Sequence, residues 1–280
     1  MHLLMILTAL AIAWSIRQIP VTIEGNWEQR WQRSLFGFLF PPLILLTTVL
    51  AVIVMGAQGE MLGFKATELG YWVGFAFLVS MGFYLGRLTY QAWLARKKIT
   101  AYPEKFIRKT KASIIDLEFP YIAQVGLWQP KLVVSQGLLD ILDKEQLEAV
   151  LAHEQAHLFY RDTFSFFLLG WLRDCTAWLH NTDALWEELL LLREIRADLK
   201  AAETVDALVL AETLLTVAKT TVQPSFCFAA GFSLPLPKAR FSQRIDALIN
   251  DSSLPKSPHL VYWSWLLLLF APWGSVPFHY

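Results

Sequence analysis

Val150-Leu-Ala-His153-Glu154-Gln-Ala-His157 sets two imidazoles four residues apart, with a carboxylate directly after the first. On a helix, positions i and i+4 share a face, so both rings can direct a nitrogen at one metal ion. Glu154 projects about 100° around the helix, where it can reach a water at that ion without being a ligand. In a chain of 280 residues with only six histidines this HExxH arrangement is specific, and the metal it points to is zinc. Upstream, Asp143 and Gln146 read as an N-cap and its capping-box partner, while Leu147, Val150 and Leu151 supply an apolar stripe. The spacing predicts a helix over 144–160.

A hydrolytic zinc site takes three protein ligands and leaves one position for water. Arg193-Glu194-Ile-Arg196-Ala-Asp198 places Glu194 and Asp198 on one helix face, 37 and 41 residues after His157. Glu194 is the candidate third ligand. Asp198 is its candidate companion, orienting a ligand histidine or pairing with Arg161. Spacing alone leaves a solvated helix with i,i+4 charge pairs equally open, since Arg193 and Arg196 are adjacent. His180 ends the apolar stretch 163–180; it is a candidate oxyanion stabiliser or, structurally, a cap on helix carbonyls. That stretch is broken by Arg173 and Asp174 and is too short to span a bilayer. It is expected either behind the zinc helix or dipping into the membrane surface, the second being favoured.

Composition bounds the rest. A chain that is 55% hydrophobic and only 17% charged, with twelve tryptophans, is too apolar for a typical soluble domain. Four stretches qualify as spans: 2–19, 35–57, 70–94 and 259–275. The expected fold class is therefore a mainly α membrane protein with about four transmembrane helices. A cytosolic α+β metal-binding domain would lie between the third and fourth. The corresponding divisions are a three-span anchor over 1–94, a catalytic domain over 95–258 and a last span over 259–280. The zero net charge hides an asymmetry that sets orientation. Arg96, Lys97, Lys98, Lys105, Arg108, Lys109 and Lys111 follow the third span, whereas the loop 58–69 holds Lys65 against Glu60 and Glu68. Arg17, Arg30 and Arg33 agree with a cytosolic catalytic domain. The basic run reads as topology control, and no nucleic-acid partner is expected.

Within the domain, residues 113–117, 121–125 and 131–135 read as short strands, with Tyr121–Val125 a candidate edge for aligning an extended peptide. Helices are expected over 184–222 and 238–250, the latter carrying Arg240, Arg244 and Asp246 on a polar face. Gly70 with Gly74, and Gly82 with Gly86, give GxxxG spacing; packing inside the bundle is favoured over a homodimer. Cys175 and Cys227 lack CxxC partners and read as buried apolar residues, with Cys227 also considered as a thiol on a latent zinc.

His153-Glu-Gln-Ala-His157 followed by Arg161-Asp162, together with Glu194-Ile-Arg-Ala-Asp198, resembles the HExxHxxxRD and ExxxD pair of membrane-anchored gluzincin-type proteases. Gly126-Leu-Trp-Gln-Pro130-Lys-Leu-Val-Val-Ser-Gln-Gly137 is similar to the segment ahead of the zinc helix in the BlaR/MecR antirepressor metalloproteases. Trp178-Leu-His180-Asn181 and Trp186 resemble a further patch of that family, without its proline. The resemblance covers residues 120–200. It implies a zincin-like zinc endopeptidase in which His153, His157 and Glu194 hold the metal and Glu154 is the general base. Asp198, Arg161, Asp162 and His180 would support them. It further implies a bacterial inner or plasma membrane location, a protein or peptide substrate, and regulatory cleavage of a repressor or other signalling protein. An HtpX-like quality-control protease shares the same two motifs. A non-proteolytic zinc-binding scaffold is the reading of another class. Receptor members of the family carry a penicillin-binding sensor after the fourth span, whereas this chain stops at Tyr280, so β-lactam sensing is not expected; the SxxK match at Ser253-Leu-Pro-Lys256 lies in a proline-rich linker.

Overall fold

The apolar stretches of the first hundred residues form three helices in the computed structural model, which describes residues 1–22, 24–61, 63–220, 238–250 and 260–279. They are α1 (His2–Arg17), α2 (Trp27–Met55) and α3 (Glu68–Thr100), with the two-residue strands β1 (Glu60–Met61) and β2 (Phe64–Lys65) between the last two. The chain divides into two units, the first comprising residues 1–86, 171–189 and 255–280 and the second 87–170 and 190–254.

In the first unit, Asn26 caps α2 by accepting from Gln29 N at 2.9 Å. Ala9 and Ala13 of α1 share a core with Phe40, Ile44 and Leu45 of α2 and with Leu269. Leu269 belongs to a 3₁₀ helix over Leu260–Phe278, whose Trp265 meets Phe36 and Phe40 edge-on at 5.5 and 5.8 Å. Gly70 and Gly74 admit His2 and Val49 closely, whereas Gly82 and Gly86 face open space, so one GxxxG pair packs inside the chain. Two of the expected spans, α2 and α3, are long and apolar enough to cross a membrane. Helix α1 has only 16 residues, short of the roughly 20 that a helical span needs. The fourth expected span is the 3₁₀ segment rather than an α-helix.

Buried charge sits among these apolar contacts. Arg17 donates to Thr182 Oγ1 at 3.0 Å and to the Phe38 carbonyl at 3.2 Å. Arg30 holds Glu188 through Nε at 2.7 Å and Nη2 at 2.6 Å. Removing one member of a buried pair strands the other, at about 3–5 kcal/mol. Arg30→Met is therefore expected to lower the melting temperature sharply, and adding Glu188→Leu should recover most of the loss. Equal melting temperatures for native and single variant would show that the pair carries no such burden.

The second unit opens with the hairpin β3 (Glu104–Ile107) and β4 (Thr110–Ile115), followed by β5 (Ile122–Val125) and β6 (Lys131–Ser135). The sheet order is β3-β4-β6-β5, with β4 and β6 parallel and the other pairs antiparallel. Central β6 is covered on both faces, which is why it reads as a continuous apolar run. Leu132 and Val134 pack with Ala112, Leu138 and Val150, while Val133 packs with Ile99, Ile115 and Val125. Strand β5 lies at the edge, as expected for residues 121–125. Its exit turn needs Gly126, whose φ of +121° is closed to side chains. The hairpin partner β3 was not among the expected strands, because Glu104-Lys-Phe-Ile lacks the apolar alternation of a half-buried strand.

After α4 (Gln136–Ile141), the Asp143–Gln146 capping box starts α5 (Lys144–Phe159), matching the predicted helix. Helix α6 spans Asp162–Cys175, with Phe166, Phe167, Leu169 and Leu172 buried and Leu168 exposed. The single helix expected over 184–222 is two, α7 (Thr182–Ala201) and α8 (Ala207–Thr220). Asp206 makes the break: its carboxylate accepts from Leu208 N and Val209 N and starts a new helix. Helix α9 covers Lys238–Ile249. Cys227 and Ser253–Lys256 lie outside the described residues, while Cys175 is buried as expected.

Candidate metal centre

Helix α5 presents His153 and His157 one turn apart, and α7 brings Glu194 to them. One donor atom from each of the three lies within 4.8 Å of the others. The two Nε2 atoms are 3.1 Å apart. Glu194 oxygens stand 3.4 Å from His153 Nε2 and 3.7 Å from His157 Nε2. Two donors each about 2.1 Å from one ion at the tetrahedral angle are about 3.4 Å apart, so this triangle suits a tetrahedral zinc with its fourth position left for water.

Supporting carboxylates aim the imidazoles. Asp198 Oδ1 lies 2.8 Å from His153 Nδ1, an ion-pair distance without hydrogen-bond alignment. Asp162 Oδ2 lies 2.8 Å from His157 Nδ1. A carboxylate at Nδ1 keeps the proton there and leaves the Nε2 lone pair for a metal. Each carboxylate is in turn held by an arginine. Arg244 of α9 grips Asp198 twice, Nε to Oδ2 at 2.7 Å and Nη2 to Oδ1 at 2.8 Å. Its Nη1 is 3.5 Å from Glu194 Oε2. Arg196 donates to Asp162 and lies over the Tyr160 ring at 4.1 Å. Arg193 donates to Glu194 Oε1 through Nε at 3.0 Å and Nη2 at 2.7 Å.

Four carboxylates, those of Glu154, Asp162, Glu194 and Asp198, thus face three guanidiniums across two imidazoles. With neutral histidines the cluster carries an excess negative charge, which a cation offsets. The titration directions agree. Burial alone would lower the His153 pKa, yet Asp198 and Glu194 push it up to about 10. His157 moves up as well: burial opposes the rise, and Glu194 and Asp162 overcome it. Burial would raise Glu194, but Arg193 and the histidines hold it well below the carboxylate range. Glu154 goes the other way, because burial raises it and the histidines only partly offset that. One carboxylate is therefore fixed as an anion, while its neighbour is poised to take a proton.

Of the supporting residues read from the sequence, Asp198 and Asp162 meet the histidines. Asp198 takes the role of companion to His153, with Arg244 rather than Arg161 as its cation. Arg161 is exposed, with a φ of 53°, and its carbonyl starts α6 by accepting from Phe164 N and Ser165 N. His180 is exposed, in a turn five residues beyond the end of α6. Arg244, read as part of a polar face, is only 9% exposed. The available signal was its helical spacing: it precedes Ile245 and stands four residues before buried Leu248.

Residues 123–223 match the model of Peptidase family M48, a stretch that runs from within β5 past the end of α8. It contains His153, Glu154, His157, Glu194 and Asp198, and it supports a metallopeptidase. No curated protein and no solved structure matches the chain.

Proposed function

We propose that the protein is a membrane-anchored zinc endopeptidase in which His153, His157 and Glu194 hold the metal and Glu154 is the general base. The observation that carries this reading is the convergence of the three donors within 4.8 Å beside a buried carboxylate outside the ligand triangle. When bound there, zinc supplies Lewis acidity, lowering the pKa of water at its open position and polarising a peptide carbonyl. Glu154 takes a proton from the attacking water and passes it to the departing nitrogen, a task its raised pKa suits. Asp198 and Asp162 keep the imidazoles in register throughout. The free edge of β5 gives an extended peptide a line of backbone partners. A scaffold would have no use for Glu154 at this position.

Integral membrane placement draws on α2 and α3, and on the exposed apolar flank of α3 at Trp72, Phe75, Val79 and Phe83. The lysines and arginines after α3 favour a cytosolic catalytic unit. The substrate class we propose is a regulatory protein of repressor type, on the resemblance described above. HtpX-like quality control is the second reading, on the shared HExxH and ExxxD pair.

Detergent-purified protein is expected to carry stoichiometric zinc and to cleave casein, and a chelator should stop cleavage until zinc is restored. His157→Ala should lose the metal. Cleavage that persists in zinc-free protein would overturn the assignment.

A further inference from the structure

Peptide hydrolysis places negative charge on the carbonyl oxygen, and a donor must meet it. We propose that Arg193 is a further catalytic residue, whose Nη1 donates to the scissile carbonyl oxygen as charge develops there. This rests on the endopeptidase reading.

Three arginines surround the donors, and their commitments differ. Arg244 spends Nε and Nη2 on Asp198 and turns Nη1 to Glu194. Arg196 is bound to Asp162, on the Nδ1 side of His157, away from the Nε2 atoms that converge. Arg193 uses Nε and Nη2 on a single oxygen, Glu194 Oε1, and no partner meets its Nη1 among the described residues. The guanidinium also lies 4.7 Å over the Phe166 ring, which fixes its plane without using an N–H. A rigid cation with a spare donor thus flanks a residue of the ligand triangle.

In the step this serves, the water oxygen bonds to the carbonyl carbon and the π pair moves onto oxygen, where Arg193 donates to it. The water proton goes to Glu154. As the pair returns, the C–N bond breaks and Glu154 gives its proton to nitrogen, leaving a carboxylic acid and an amine, and the acid's remaining proton then passes to the amine to give a carboxylate and an ammonium.

The test compares native protein with Arg193→Met and Arg193→Lys for zinc content, kcat, KM and affinity for a phosphinic pseudopeptide, whose tetrahedral oxyanion mimics that charge. Arg193→Met should keep zinc and KM while kcat falls about 10²–10³-fold. Phosphinate affinity should fall in parallel with kcat/KM, and Arg193→Lys should restore part of both. Loss of zinc from Arg193→Met and Arg193→Lys would make Arg193 a mere support of Glu194 and overturn the proposal. So would full phosphinate affinity in a zinc-loaded Arg193→Met protein. If Arg193→Met fails to fold, Arg193→Lys decides alone, native kcat and phosphinate affinity overturning the proposal. Native protein that holds zinc but neither cleaves peptides nor binds the phosphinate would instead sink the endopeptidase reading, and this inference with it.

Discussion

Replacing Glu154 by Gln should slow peptide hydrolysis about 10²–10⁴-fold while leaving zinc and fold in place. Glutamine has the size of the carboxylate and still fills its buried position beside the histidines, but it cannot accept a proton. Zinc should stay because the converging donors are those of His153, His157 and Glu194. The loss should fall on kcat, since the proton moves only as the bond forms. Side-by-side metal analysis and casein cleavage read both quantities. A zinc-loaded Glu154→Gln protein with native activity would remove Glu154 from the chemistry; one without zinc would make it a ligand.

The second large effect is expected at a residue that touches neither imidazole. Arg244→Leu leaves the buried Asp198 carboxylate, 0% exposed, without its two hydrogen bonds. Stranding a charge in this way costs about 3–5 kcal/mol. It also frees Asp198 to swing off His153 Nδ1, and loss of such orientation typically lowers metal affinity about 10–100-fold. Arg244→Leu should therefore both melt earlier and release zinc to a competing chelator more readily. Adding Asp198→Leu should recover stability without recovering affinity. Native zinc affinity in Arg244→Leu would show that Asp198 holds its place unaided. Burial alone would lower the Arg244 pKa, but Asp198 and Glu194 outweigh it and raise it, so the clamp stays charged.

What could be read directly was local. The capping box and the i,i+4 histidines are contacts within one helix, and α5 appears where its residues place it. Glu194 and Asp198 share a face by the same periodicity, but only the fold shows that this face meets α5. The three arginines were illegible for one reason: each looks like the solvated face of its helix. Their carboxylate partners are adjacent in the chain for Arg193, 34 residues away for Arg196 and 46 for Arg244, and sequence offers no measure of burial for a charge. The break at Asp206 could have been read as an N-cap, since its spacing to Val209 is local. Apolar continuity through Leu208, Val209 and Leu210 masked it. Strand β3 was hidden by its charges, which suit an edge whose outer face is wet.

The division of the chain bears on how far the proposed peptidase could act. The second unit is drawn from residues 87–170 and 190–254, and residues 171–189 between them belong to the first. Buried Ile99, near the end of α3, is part of the core beneath the sheet. A single cut after Gly86 would leave residues 171–189 and 255–280 of the first unit still joined to the second, and a cut after Ile99 would strip the second unit of a core residue. On the proposed reading, in which the first unit is a membrane anchor, a single cut would therefore leave the second unit joined to parts of that anchor, and a proteolytic substrate would be met at the bilayer.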